Sequence, residues 1–271
     1  MTTKVRIPLD ITLAVWRAVF LREALERMFE ARVAWMWLII EPVIYIALHA
    51  FGYLALHVHA IGGMETSLWI ITGFIAYLLW RRTGTQVTYA LECNKPFFAY
   101  RQVKPFDAAI VRALLELFLM IPIAVAILML AKALGHKLSP GLLNPEFLPR
   151  DPLLAIAGII GIWLFGLGYG LINSVALTFV PDLDHVYRIL ILPLLYISGT
   201  FFPIFFIPQP YRGILLINPV VHGVELVRKG FLPTYHSAPE ISLSYLFATG
   251  LGSILFGLIL YRRYAKELLM Q

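Results

Sequence analysis

Residues 92 to 107 read Glu-Cys-Asn-Lys-Pro-Phe-Phe-Ala-Tyr-Arg-Gln-Val-Lys-Pro-Phe-Asp. Lys95, Arg101 and Lys104 bring charge, and Pro96 and Pro105 break helices. One long apolar run ends just before this stretch and another begins just after it. Such a segment does not lie in lipid, because its peptide groups and cations need water or protein around them. The flanking runs, by contrast, are suited to hydrocarbon.

The whole chain has that character. Of its 271 residues 60% are hydrophobic and 14% charged, and its mean hydropathy is +0.79. A soluble domain of this size has too little polar surface at that balance, so the chain reads as an integral membrane protein. The net charge of +6 would suggest nucleic acid in a soluble protein; here it fits the Lys and Arg of cytoplasmic loops. Cys93 is the single cysteine, which excludes an intrachain disulfide and a thiolate cluster. The first residues lack the compact apolar core of a cleaved signal, so insertion is expected to be directed by the spans.

Residues 8 to 30 space Leu13, Trp16 and Phe20 three and four apart, with Arg22, Glu26 and Glu30 on another face. That predicts an amphipathic helix on the membrane surface or against a partner. Residues 33–56 form a first span, long enough for the ~20 residues of a crossing. Glu41-Pro42 interrupts it, as a hinge or as a substrate contact. His57, His59 and Gly62-Gly63 read as a turn without a third metal ligand. Residues 67–88 form a second span with Tyr77, Trp80, Arg81 and Arg82 toward its far end. At 1.5 Å per residue the arginines lie roughly 21–23 Å along the axis, near the headgroups. They read as snorkelling anchors or as a cationic mouth for an anionic solute.

A third span covers residues 106–133, where Arg112 and Glu116 are spaced to pair on one helix face. The fourth, 153–180, carries Gly166 and Gly170 at the spacing that lets helices approach closely. In the turn Pro181 to His185, Asp182 or Asp184 is expected to cap the next helix rather than bind metal. The fifth span, 189–207, is broken by Pro193 and ends Ser-Gly-Thr-Phe-Phe-Pro. Residues 208–239 hold an apolar stretch too short and too interrupted to cross, which predicts short re-entrant helices. The sixth span is 243–261. The expected fold is an all-α integral membrane protein: one transmembrane domain over 1–271, an N-terminal interface helix, six transmembrane helices, and short re-entrant helices before the last. With both termini and the central loop in the cytoplasm, about 16 of the 22 Lys and Arg lie inside. The central stretch then reads either as a solvated hairpin or as a surface that receives force from a partner.

Several stretches resemble the membrane subunits of type-2 ABC exporters: Phe20-Leu-Arg-Glu23, Trp37 with Glu41-Pro42, Tyr196-Ile-Ser-Gly-Thr-Phe-Phe-Pro203 and Asn218-Pro-Val-Val-His-Gly-Val-Glu225. Tyr100-Arg-Gln-Val-Lys-Pro-Phe-Asp107 is similar to the branch that exports capsular polysaccharides in Gram-negative bacteria. Arg32-Val-Ala-Trp-Met-Trp departs from the family in lacking a Gly, and Pro181–His185 in lacking an Arg-Asp pair. The resemblance implies a non-enzymatic homodimer in the bacterial inner membrane with two ATP-binding subunits, which bind ATP and Mg. It also implies a periplasmic adaptor and an outer-membrane channel. This chain has no phosphate-binding Gly-x-x-x-x-Gly-Lys-Ser/Thr loop, consistent with a separate ATPase. Residues 92–105 become the coupling region, with Arg22, Glu92, Lys95, Tyr100, Arg101, Gln102 and Lys104 at the ATPase interface. Tyr77, Trp80, Arg81, Arg82, Glu41, Phe201 and Phe202 are candidates for the substrate pathway.

The cargo expected is a lipid-anchored acidic polysaccharide; another surface glycan, a lipid or a drug is the alternative. A membrane-embedded glycosyl- or acyltransferase would gather acidic or His groups near one membrane face. Glu41, Glu92, Glu116, Asp182 and Asp184 are instead scattered over separate segments. A passive scaffold does not account for the broken fifth span.

Overall fold

The structure, a computed structural model, describes residues 8–29, 34–99, 102–138 and 148–270. Helix α1 (Pro8–Phe29) carries Asp10 in its first turn and Arg27 in its last, each opposite in sign to the helix dipole it meets. Helix α2 (Ala34–Ala55) contains Pro42. Two short strands, β1 (Ala60–Ile61) and β2 (Met64–Glu65), pair antiparallel around Gly62-Gly63. Both glycines have positive φ, 58° and 85°, as a two-residue hairpin turn requires. This hairpin is the exception to the all-helical expectation, and it leads into helix α3 (Thr66–Thr88).

The central polar stretch folds as a short helix α4 (Ala90–Asn94) and a 3-10 turn, Lys95–Ala99. Pro105 then opens α5 (Pro105–Leu138), where its missing N–H costs nothing. Asp151 starts α6 (Pro152–Phe179) by accepting from the Leu154 N–H at 3.0 Å. Helix α7 (Leu183–Ile197) is followed by a 3-10 turn, Ile204–Phe206, and by α8 (Tyr211–Leu215) and α9 (Pro219–Phe231). Helices α10 (Leu243–Arg263) and α11 (Ala265–Met270) end the described chain.

Among the described residues four helices are long and apolar enough to cross a membrane: Met36–Ala55, Pro105–Ala133, Pro152–Phe179 and Leu243–Arg263. Two of the six expected spans are outside this set. Helix α3 covers 66–88, but its threonines, glycines and two arginines dilute its apolar character. Helix α7 stops at Ile197, because Gly199 turns the chain with φ +67° well before residue 207.

Helix α3 is the centre of the molecule: α2, α5, α6 and α9 all pack on it, and most of its side chains are buried. The close approach of α6 uses the two glycines whose spacing suggested it. A Cβ on Gly170 would stand 2.5 Å from Val87 Cβ, and one on Gly166 3.1 Å from the Trp80 carbonyl. In lipid no hydrophobic force joins helices, so such backbone proximity supplies the van der Waals contact that holds them. The far side of α6 packs on α10 and α9. Helix α9, capped by the Asn218 side chain at 3.0 Å from the Val220 N–H, is buried over nearly its whole length. Residues 208–239 contain the short helices α8 and α9.

Candidate functional site

Adjacent arginines at the end of α3 meet different helices. Arg82 Nε donates to Glu116 Oε2 of α5 at 2.8 Å. Arg81 Nη2 donates to Glu41 of α2. Successive helix residues point about 100° apart, so neighbours in sequence serve different interfaces. The expectation that both arginines share one cationic mouth gives way to two separate ion pairs.

The Arg82 side belongs to a buried ionic cluster that docks α1. Glu116 is fully buried and also accepts from Arg27 of α1. Arg27 in turn donates to Gln86 at 2.8 Å. Glu23, also buried, accepts from Arg112 Nε at 2.8 Å and from Asn94 Nδ2 at 3.0 Å. Trp16 Nε1 reaches Asp107 at 2.8 Å. The expected Arg112–Glu116 pair is not formed: each residue takes a partner from α1, because α1 lies across that face of α5. Burial pushes the Glu23 carboxyl up, but Arg112, Asn94 and Arg27 together hold it below the ordinary glutamate value.

Arg22 ends this cluster beside the central stretch. It is 3.4 Å from Asn94 Oδ1, and its guanidinium sits 3.8 Å over the Phe97 ring. Glu92, Lys95, Gln102 and Lys104 of the central stretch are exposed. Tyr100 and Arg101 lie outside the described residues.

The Arg81 side is aromatic. Trp80 is buried against Tyr77, Phe165 and Tyr169, with ring centroids 5.5, 6.4 and 5.3 Å away. Tyr169 continues to Tyr187 at 6.2 Å, and Tyr187 to Tyr89 at 6.5 Å. Hydroxyls tie this seam to α7: Tyr77 donates to the Ile191 carbonyl at 2.8 Å, and Tyr187 is 2.7 Å from Thr85 Oγ1. Tyr89 donates to Asp184, which also accepts from Arg188 at 2.8 Å. Asp182 makes no capping bond and Asp184 is used for this tie, so neither caps α7 as the turn had suggested. Above Arg81, Tyr45 stacks on Phe74 and Phe74 on Phe201, at 5.5 and 5.7 Å. Phe201 is buried against His49, and Phe202 turns away into the small cluster around Ile204 and Val221.

Tyr77, Trp80, Arg81, Glu41 and, through Phe74, Phe201 are thus brought into one seam; Arg82 and Phe202 are not. Sequence reading missed Tyr45, Tyr169 and Tyr187, which join the seam from three other helices. It also missed Arg228, which is fully buried on α9. Arg228 donates to the Gly199 and Thr200 carbonyls, each at 2.8 Å, and to Glu225 at 2.8 Å. Its guanidinium lies 3.7 Å over the Trp69 ring. No group of three His, Cys, Asp or Glu among the described residues is placed to hold a metal ion.

The seam is packed ring against ring with the Tyr77, Tyr187 and Tyr89 hydroxyls engaged, and Arg81, 19% exposed, is the partly open group at its edge. A guanidinium in that position can bind an anionic group. The chain is 32% identical over 254 residues to the polysialic acid transport protein KpsM of Escherichia coli, covering 93% of this chain and 94% of that one. It is 24% identical to the capsule polysaccharide export inner-membrane protein CtrC of Neisseria meningitidis, over 92% of this chain and 90% of that one. It is 23% identical to the capsule polysaccharide export inner-membrane protein BexB of Haemophilus influenzae, over 93% and 91%. A family model described as ABC-2 type transporter matches residues 14–232. With that match running from the interface helix through α9, the chain belongs to the ABC-2 type transporter membrane family.

Proposed function

We propose that this chain is the membrane subunit of an ATP-driven exporter that moves a lipid-anchored, acidic capsular polysaccharide across the bacterial inner membrane. The observation that carries the reading is similarity along nearly the full length to a polysialic acid transport protein. Arg81, partly exposed at the edge of the aromatic seam, supports it, since a charge contact of modest strength lets an acidic polymer slide.

In this reading two copies of the chain work with two ATP-binding subunits, which hold ATP and Mg. A periplasmic adaptor and an outer-membrane channel complete the route. Helices α3 and α7 join the four apolar helices as six spans, with both termini cytoplasmic. The buried centre of α3 supports its place inside the bilayer, shielded from lipid by its neighbours. Helices α8 and α9 dip in from the periplasmic side without crossing. Residues 92–105 and Arg22 form the surface that receives the stroke of the ATPase, and the ionic cluster passes it to α3 and α5.

Inactivating this subunit in the source bacterium tests the reading. Polymer should vanish from the surface and accumulate inside, and the wild-type chain should restore export. Normal surface polysaccharide without the subunit would remove the proposal.

A further inference from the structure

Glu41 and Arg81 form an ion pair unlike its neighbour. Arg82 and Glu116 are 12% and 0% exposed, while Arg81 and Glu41 are 19% and 38% exposed. One pair is closed and the other can be reached. Glu41 lies about 10 Å from the start of α2 and Arg81 about 10 Å from the end of α3, at 1.5 Å per residue. The pair therefore sits at one level between antiparallel helices. Among the described residues Glu41 is the carboxylate paired with Arg81, and it engages Nη2 alone. A guanidinium has five N–H donors in a planar fork, enough to take a second carboxylate side-on. Tyr77 and Tyr187 are near enough to feel the Arg81 charge, and Tyr45 is one turn beyond Glu41. A sugar acid placed there meets a cation flanked by the rings of Tyr77 and Tyr187, whose hydroxyls are held by the Ile191 carbonyl and by Thr85.

We propose that Glu41 is an internal substitute for the carboxylate of the cargo. It neutralises Arg81 while the transporter is empty and yields it to a sugar acid as the polymer enters. This rests on the acidic-polysaccharide reading above. The exchange has a mechanical consequence. The Glu41–Arg81 pair is the ionic tie between α2 and α3, and Pro42 beside it already leaves α2 one backbone hydrogen bond short. Cargo that takes Arg81 releases the first turns of α2 from α3. The pairing, in turn, keeps Arg81 from standing as an unpaired charge in the membrane, where that is costly.

The test measures binding of a fluorescent polysialic acid oligomer, with a neutral dextran oligomer as control. It uses the complete transporter with its ATP-binding partner in nanodiscs. Glu41→Gln removes the competitor and should tighten binding of the acidic oligomer about two- to fivefold, the range expected for releasing a partly exposed pair. Arg81→Gln should weaken it about tenfold or more, as loss of a charge-assisted contact does. The swap Glu41→Arg with Arg81→Glu should restore thermal stability but not binding, since the cation then sits on the wrong helix. If Glu41→Gln and Arg81→Gln both weaken binding and the swap restores it, the pair is a brace and the inference is overturned. If the wild type binds dextran as tightly as polysialic acid, the acidic-cargo reading fails. That failure shows in the wild type, whereas failure of the exchange shows only in the variants.

Discussion

A guanidinium sealed from water persists only when its donors meet acceptors, and Arg228 illustrates the condition. It spans the Gly199 and Thr200 carbonyls, Glu225 and the Trp69 ring, and so fastens α9 to α3 and to the break after α7. A Cβ on Gly73 would come within 2.2 Å of Nη2, so the absence of a side chain there makes the room. Arg228→Met should destabilise the protein by about 3–5 kcal/mol, because Glu225 is left buried and uncompensated. Arg228→Met combined with Glu225→Gln should cost clearly less. The check is the thermal unfolding midpoint of purified protein, and an unchanged midpoint in Arg228→Met would show that the guanidinium holds nothing together. Arg228→Lys should not rescue, since a point cation cannot serve two backbone carbonyls and a carboxylate in one plane.

At the scale of elements, α1 is held by inward charges as well as by apolar contacts, with Val19 buried and the Phe20 ring 5.9 Å from that of Phe118. Leu13, Leu21 and Leu25 are exposed, and Glu23 and Arg27 point inward. The docking should therefore depend on pH. The Glu23 carboxyl in the folded protein is held below its free value of 4.5. A depressed carboxylate stabilises the docked helix above the free value and stops doing so as pH falls through the folded one. Spin labels at Leu13→Cys and Phe118→Cys, in a Cys93→Ser background, should give a narrow distance distribution at neutral pH. Below pH 4.5 it should broaden progressively, and Glu23→Gln should flatten that dependence. A distribution unchanged into strong acid would show that other contacts hold α1.

For the whole molecule the question is which side of the bilayer each loop meets. Lys95 is exposed on the central stretch and Tyr211 on α8. With six spans, a membrane-impermeant maleimide should label Tyr211→Cys in intact spheroplasts. Lys95→Cys should be labelled only after permeabilisation, both in the Cys93→Ser background. Labelling of both from one side would break the six-span topology, because an odd number of crossings must separate residues 95 and 211. The seam runs from Tyr89 and Asp184, which close one end, to Phe201, next to the Thr200 carbonyl that Arg228 holds.

Local sequence determined the class of the protein and the punctuation of its helices. Apolar composition required membrane helices; Pro105 bounded the polar central stretch at the point where α5 begins; Gly166 and Gly170 marked a close approach that the fold uses against α3. These signals act within a few residues, so they are legible without a structure. Tertiary structure alone decided the partners of the charges. Arg112 and Glu116 have ideal spacing for each other, yet α1, about ninety positions away in sequence, takes both. Arg81 and Arg82 look like one feature and serve two interfaces. The physical reason is that a helix apolar on every face gives no periodic sign of which side is inside. The burial of an ion is settled only when the neighbouring helix that compensates it has been placed.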